Sequence, residues 1–233
     1  MQISPDQWTL AEWRGVALNA TIAFTWLVML ILAFGSWLIT SRLSTGETVS
    51  RWQVMLEVIV TGIRDQIAEI GAEEGDRYLP FIGTLFLFIA TSNLLSVVPG
   101  YQPPTGSLST TAALAVAVLI AVPAFSIARR GIGGYLRTYI RPTPLMLPFN
   151  LVAEVSRSVA LAVRLYGNVM SGTVIVGIII SVAPFFFPVM MQVLGLLTGF
   201  IQAYIFAVLA MVYIASAART QPHSMNDPTR KEP

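Results

Sequence analysis

Residues 158–180, "SVALAVRLYGNVMSGTVIVGIII", place Arg164 inside an otherwise apolar run. About 20 predominantly apolar residues are needed for a helix to cross the hydrocarbon core of a bilayer. An arginine in the middle of such a helix costs about 2.5 to 3.5 kcal/mol on insertion scales and generally faces a bundle interior or a water path. The stretch therefore predicts a membrane-spanning helix whose arginine has a function.

The composition of the whole chain agrees with a membrane protein. Of its 233 residues, 55% are hydrophobic and 11% are charged, and the mean hydropathy is +0.71, whereas soluble domains have about 25% charged residues. Cysteine is absent and His223 is the only histidine, so we expect no disulfide, no metal site and no cofactor. The arginines are spread along the chain, which argues against nucleic-acid binding, and no phosphate-loop or nucleophile–histidine motif indicates a soluble enzyme.

Hydropathy predicts a single membrane domain in an all-α integral membrane protein with about five membrane-spanning helices. The predicted spans cover about residues 16–39, 78–98, 108–128, 145–181 and 189–218. Residues 48–70 alternate apolar and charged positions at helical spacing and predict an amphipathic helix at the membrane surface. Residues 129–144 are expected to form a loop, and residues 219–233 a disordered cytoplasmic tail.

The last two predicted helices are too long for a perpendicular crossing. At 1.5 Å per residue, the segment 145–181 would extend ~55 Å and the segment 189–218 ~45 Å, against a core of ~30 Å. We therefore expect a tilted antiparallel hairpin, with Pro148 marking a break near its start.

Basic residues predict the orientation of the chain. The segment 129–144 carries four arginines (Arg129, Arg130, Arg137 and Arg141), whereas residues 99–107 and 182–188 carry none. By the positive-inside rule the first segment faces the cytoplasm. With five spans, the amino terminus then lies outside and the carboxyl terminus in the cytoplasm.

Three charged residues fall within the long predicted helix. Glu154 and Arg157 are three positions apart near its cytoplasmic end and can form a structural ion pair. Arg164 has no acid at three or four positions on either side, and none of the other predicted spans contains Asp or Glu. An acid elsewhere in the chain is one candidate partner, but the pattern favours a carboxylate on another chain.

Polar and small residues recur on both long helices. Arg157, Ala160, Arg164, Asn168 and Ser171 form one stripe at spacings of three and four. Close helix packing is predicted at three glycines, of which the last two form a G-x-x-x-G pair: Gly167, Gly195 and Gly199. Gln192 and Gln202 lie in an apolar span, so each needs a hydrogen-bond partner or water.

Two stretches, "EVSRSVALAVRLYGNVMSG" (residues 154–172) and "IQAYIFAVLAMVYIASA" (residues 201–217), resemble subunit a of F-type ATP synthases. Supporting matches are "PFNL" (148–151), "SNLLSVVPGY" (92–101) and "GIGGYL" (131–136), so the resemblance covers nearly the whole chain. It implies a non-catalytic, ion-translocating stator subunit in a bacterial inner membrane. It further implies partners in the ring of c subunits, the peripheral-stalk b subunits and the lipid bilayer.

The resemblance also implies roles for single residues. Arg164 would be the stator arginine that faces a c-subunit carboxylate, with Asn168 and Gln202 beside it. The predicted ion pathway comprises these two residues together with Asn93, Ser96, Ser109, Ser171, Thr173 and Gln192.

Several positions depart from the family pattern. Thr173 and Gly195 stand where Glu or His is common, Ser96 replaces an Asp, and Ser107 and Ser109 stand where Asp and Asn are common. Hydroxyls and amides can ligate sodium or order water, but they do not titrate near neutral pH. These departures favour sodium over protons as the transported cation, and both remain open. With them, the chain resembles the divergent N-type variant of the family.

Two other classes of function fit a membrane-embedded arginine. A secondary transporter or channel could bind an anionic substrate with it, although the hydropathy pattern has no internal repeat. A structural scaffold could use it as an assembly contact.

Overall fold

A computed structural model of the chain describes residues 9–13, 16–41, 51–69, 75–140, 146–182 and 187–218. Within these ranges, two strands, β1 (Thr9–Trp13) and β2 (Val16–Asn19), precede two short 3₁₀ helices (Leu95–Val97 and Pro104–Gly106) and six α-helices. The α-helices are α1 (Ala20–Thr40), α2 (Arg51–Glu69), α3 (Gly75–Leu94), α4 (Leu108–Ile140), α5 (Met146–Val182) and α6 (Phe187–Ala218). Five of them, all except α2, are long and apolar enough to cross a membrane, which confirms the all-α membrane fold.

The amino-terminal strands were not expected from the sequence. β1 and β2 pair antiparallel, with Thr9 opposite Asn19 and Trp13 opposite Val16. Helix α1 consequently begins at Ala20, four residues after the predicted start of the first span. Hydropathy alone does not separate a short apolar strand from the first turn of a helix, so residues 16–19 were assigned to the span.

The predicted amphipathic helix is present as α2, which packs against α3. Ile59 and Ile63 are half-buried, whereas Val58 and Val60 are exposed. The Tyr204 hydroxyl of α6 donates a 2.6 Å hydrogen bond to Oε1 of Gln66. Helix α2 therefore also reaches α6, and its position at a membrane surface remains a prediction.

The loop predicted after the third span is wrong over residues 129–140. Helical structure continues there as the second part of α4, after a kink at Gly131, whose φ of 73° and ψ of 165° are not helical. Glycine adopts a positive φ without steric penalty, so the chain changes direction at this residue and then resumes a helix. Among the glycines of "GIGGYL", only Gly131 has a positive φ.

Pro148 does not break the long helix. It is the third residue of α5, which continues from Met146 to Val182 over 37 residues. A proline in the first turn removes no internal hydrogen bond, because the first amide groups of a helix have no partner within it. The segment is therefore one long helix.

Helices α5 and α6 pack against each other as the predicted antiparallel hairpin. Asn168 contacts Thr198, and Arg157 contacts Tyr213, so the two helices run in opposite directions. Helix α6 also packs against α3 and α4, and its buried face carries four small residues, Ala203, Ala207, Ala210 and Ala215. Small side chains allow helices to approach closely, which places α6 at the centre of the bundle.

Helix α1 lies at the edge of this bundle. Trp26, Leu30, Phe34 and Trp37 form a stripe along it and are each more than 60% exposed.

The predicted tail 219–233, with His223, lies outside the residues that the structure describes.

Candidate functional site

Arg164 lies on the surface of the hairpin. Its side chain is exposed, whereas Leu161 and Leu165 of the same helix are buried in the core. No described residue forms a hydrogen bond or an ion pair with Arg164. The described part of the chain therefore supplies no acid for this charge.

Gln202 on α6 has the opposite environment. Its side chain is 5% exposed, and Nε2 is buried without a hydrogen-bond partner among the described residues. A buried donor left without a partner costs about 1 to 3 kcal/mol. Such a donor needs water or another group beyond the described residues as its partner.

Three other carboxamides connect the helices around this region. Asn93 on α3 donates through Nδ2 to the carbonyl of Gly199, at 2.9 Å. Asn168 on α5 donates through Nδ2 to the carbonyl of Thr198, at 3.3 Å. The third carboxamide, Gln192 on α6, donates through Nε2 to the carbonyl of Ser96, at 2.9 Å. Each of these side chains joins α6 to a neighbouring segment.

The three predicted packing glycines differ in their surroundings. A Cβ atom at Gly199 would lie 3.0 Å from the side chain of Asn93, whereas one at Gly167 or Gly195 would meet no atom of the described residues within 4 Å. Close packing within the chain is thus a property of Gly199. Packing of Gly167 and Gly195 against another chain remains a prediction.

A cavity of about 240 Å³ lies between the end of α3, the connection to α4, and helices α5 and α6. Apolar side chains such as Val169, Val176 and Met191 line part of it, and we call it the polar cavity after its carboxamide and hydroxyl groups. Five predicted pathway residues line it: Asn93, Ser96, Asn168, Thr173 and Gln192. Gly195 and Gly199 contribute to its wall. Asn168 follows Arg164 by one helical turn, so the cavity approaches the arginine along α5.

Three predicted pathway residues lie away from the residues that line this cavity. Ser171 is exposed, and its hydroxyl bonds to the carbonyl of Asn168 in its own helix. The Ser109 hydroxyl lies 2.6 Å from that of Ser107. Gln202 follows Thr198 of the cavity wall by one turn of α6.

Comparison with known proteins identifies the family. Residues 22–215 match the model of the family described as "ATP synthase A chain". The chain is 63% identical to "ATP synthase subunit a 2" of Acaryochloris marina over 224 residues, 96% of each chain. It is 61% identical to "ATP synthase subunit a 1" of Chlorobaculum parvum, over 96% of this chain and 99% of that protein. The chain belongs to the ATP synthase A chain family.

The cavity also contains residues that were not predicted from the sequence. Tyr101, Gln102 and Thr198 line the cavity. Tyr101 and Gln102 lie between the second and third predicted spans, and neither has a role assigned from the sequence. Their polarity within a short connection between two spans was the signal that could have predicted them, because such a connection can fold back over the helix ends.

Tyr101 is the only titratable side chain among the described residues that line the cavity. Burial raises its pKa well above the usual range, and the nearby Ser92 hydroxyl offsets part of this effect. Its ring packs edge-on against Phe24 of α1, with centroids 4.9 Å apart. The cavity of this family member therefore has no described side chain that titrates near neutral pH.

Arg157 has a partner that was not predicted. Its guanidinium lies 5.6 Å from the centre of the Tyr213 ring on α6, which is a cation–π distance. The predicted ion pair between Glu154 and Arg157 remains a prediction. The two arginines of α5 thus differ, because Arg157 contacts the partner helix of the hairpin and Arg164 faces outward.

Proposed function

We propose that this chain is the stator subunit of a rotary F-type ATP synthase and couples cation movement to rotation of a ring of c subunits. The observation that carries the proposal is the exposed Arg164 on a membrane-spanning hairpin, without a partner among the described residues. A permanent charge is expensive in hydrocarbon. A carboxylate presented by another chain supplies the missing counter-charge.

The arginine then controls the charge of each passing carboxylate. An opposite charge within about 4 to 6 Å favours the ionised carboxylate, so a c subunit releases its cation beside Arg164. Away from the arginine, the carboxyl group faces lipid and must be neutralised by a proton or a bound sodium ion. Arginine suits this role because it stays protonated, whereas a lysine can lose its proton in a dry site.

The same charge separates two ion half-channels. A free cation is repelled by Arg164 and cannot pass directly from one half-channel to the other. We assign the polar cavity to the half-channel on the outer side, because it lies beside the connection 95–107, which carries no basic residue. The amino terminus then faces outward and the carboxyl terminus faces the cytoplasm of a bacterial cell, with the chain in the inner membrane.

Sodium is the proposed cation. The support is the cavity lining, which offers hydroxyl and carboxamide groups and, among the described residues, no carboxylate or imidazole. Oxygen atoms of this kind ligate hard cations, whereas proton transfer along side chains needs groups that titrate. Each transported charge gains about 2.3 kcal/mol per 100 mV, so several ions must cross for each ATP made. The c ring and the peripheral-stalk b subunits are the proposed partners.

The deciding experiment uses the whole complex in inverted membrane vesicles. We expect Arg164→Ala to leave assembly intact and to abolish ATP-driven uptake of ²²Na⁺. Arg157→Gln is the matched control, because it removes an arginine from the same helix that already contacts Tyr213, and we expect it to retain uptake.

Other outcomes would select other functions. Coupled uptake by the Arg164→Ala complex would exclude the stator role, and loss of assembly would favour a scaffold. ATP-driven proton uptake that is independent of sodium would show that the transported cation is the proton and not sodium. Anion transport by the purified chain in liposomes would favour a secondary transporter.

A further inference from the structure

The side chain of Asn93 is held at both ends. Nδ2 donates to the carbonyl of Gly199 at 2.9 Å, and Oδ1 accepts a 3.2 Å hydrogen bond from the hydroxyl of Thr105. Asn93 is 5% exposed and Thr105 is fully buried. Only one orientation of the carboxamide satisfies both contacts, because a carbonyl must receive a donor and the threonine hydroxyl must find an acceptor.

The contact with α6 is also a close steric fit. A Cβ atom at residue 199 would lie 3.0 Å from Cβ, Cγ and Nδ2 of Asn93. Glycine is therefore required if α6 is to approach α3 this closely. Asn93, Thr105 and Gly199 together form a unit that we call the α3–α6 latch.

The latch acts on the turn of α6 that carries Gln202. In an α-helix the carbonyl of residue 198 accepts the amide of residue 202, and that of residue 199 accepts the amide of residue 203. Asn168 bonds to the first of these carbonyls and Asn93 to the second. Two neighbouring helices thus hold successive carbonyls of one turn, which fixes the rotation of α6 about its axis.

We infer that Asn93 is a positioning residue rather than an ion ligand, and that the α3–α6 latch sets the rotation of α6 that keeps Gln202 buried beside the hairpin interface. This inference rests on the proposed function for its effect on pumping. Its structural part stands independently, because the contacts belong to the chain alone.

Thiol labelling measures the rotation directly, since the chain contains no cysteine. Ala203 is fully buried, whereas Ile201 is 49% exposed. We would place single cysteines at positions 203 and 201 of the assembled complex and measure reaction with N-ethylmaleimide in membranes. Ala210, also fully buried but two turns further along α6, supplies the reference site for general loosening.

Asn93→Leu and Asn93→Asp are the principal variants, because both remove the donor to Gly199. We expect each to raise the labelling rate at position 203 at least about tenfold, with position 210 unchanged. We also expect each to lower ATP-driven ²²Na⁺ uptake at least about tenfold with KM for sodium within about twofold of the native value. Asn93→Asp separates the two roles, because a carboxylate would preserve or improve an ion ligand but cannot donate to a carbonyl.

Matched controls test whether any interhelical bond would have the same effect. Ser126→Ala removes a hydroxyl on α4 that donates to the carbonyl of Ala217 on α6, at 3.1 Å. We expect it to leave labelling at position 203 and uptake unchanged. If the Asn93 variants do not assemble, Thr105→Val tests the latch more mildly, with Thr111→Val as control because the Thr111 hydroxyl donates to carbonyls of its own segment, those of Ser107 and Leu108.

The inference is overturned if position 203 stays protected in the Asn93 and Thr105 variants. It is also overturned if Asn93→Asp pumps normally or with a lower KM for sodium, since Asn93 would then act as a ligand. Failure of the proposed function would be seen separately, as pumping by the Arg164→Ala complex, and would leave the labelling result intact.

Discussion

The Arg157 guanidinium lies 5.6 Å from the centre of the Tyr213 ring and joins α5 to α6 near the cytoplasmic end proposed for the hairpin. A cation over an aromatic face gains about 0.5 to 1 kcal/mol at exposed sites. The contact lies seven residues before Arg164 on the same helix. The hairpin therefore uses one arginine for internal stability and leaves the next one facing outward.

This contact predicts different effects for two substitutions of Tyr213. Tyr213→Leu removes the aromatic ring and should lower the free energy of unfolding by roughly 1 kcal/mol or more, because packing is lost as well. Tyr213→Phe keeps the ring face and should have a smaller effect. Thermal unfolding of the detergent-purified chain measures both, and equal losses in the two variants would argue for the hydroxyl instead of the cation–π contact.

Gly199 and Gly195 should respond differently to the same substitution. Gly199→Ala forces a Cβ against Asn93 at 3.0 Å, and overpacking of this kind costs about 1 to 3 kcal/mol. At Gly195→Ala the added Cβ meets no described atom within 4 Å, and the substitution should slightly stabilise the helix, because alanine has the higher helix propensity. Melting temperatures of the purified chain test this difference, and a similar loss at both positions would contradict the close contact at Gly199.

Thr173→Glu should strengthen the binding of sodium in the polar cavity. A carboxylate in a lining without described acids attracts sodium, so we expect KM for sodium uptake to fall several-fold at pH 8. The effect should disappear at acidic pH, as the new side chain becomes protonated near or above its usual pKa of about 4.3. Initial rates of ²²Na⁺ uptake at several sodium concentrations provide the measurement. Thr173→Gln is the neutral control and should show neither change.

Tyr101 predicts a stability difference at alkaline pH. Because burial raises its pKa in the folded chain, the folded state favours the neutral phenol. Stability is then unaffected below the unfolded pKa of about 10 and falls as the pH rises above that value. Tyr101→Phe should weaken this alkaline loss of stability while leaving the pH profile below about 9 unchanged. Thermal unfolding of the two proteins between pH 8 and pH 11 tests the prediction, and parallel profiles would refute it.

The spans could be predicted from the sequence because hydrocarbon imposes a simple requirement on the chain. Each crossing needs about 20 apolar residues with all backbone groups bonded within the helix. The same reasoning made Arg164 conspicuous, because a charge in such a run is rare and costly. Hydropathy places residues 16–19 in the first span and is wrong there. These residues form β2, and its pairing with β1 depends on contacts that hydropathy does not represent.

The site beside Arg164 was predicted only in part. Asn93, Ser96, Asn168, Thr173 and Gln192 were selected as polar residues in apolar spans or by family resemblance, and the structure gathers them around one cavity. Tyr101 and Gln102 were missed, because their position over the helix ends depends on how the connection 95–107 folds. Sequence spacing describes neighbours on one helix but not contacts between residues 106 positions apart, such as Asn93 and Gly199.

The sequence was sufficient to predict a multi-pass helical membrane protein and to single out Arg164 as a costly charge, since both follow from the free energy of placing side chains in hydrocarbon. Tertiary structure alone decided which polar groups remain available. Asn93, Asn168 and Gln192 donate to backbone carbonyls across helix interfaces, whereas Nε2 of Gln202 is buried without a described partner. The reason is physical: a carboxamide in an apolar span must find a partner, and the packing of the helices determines which one is within reach.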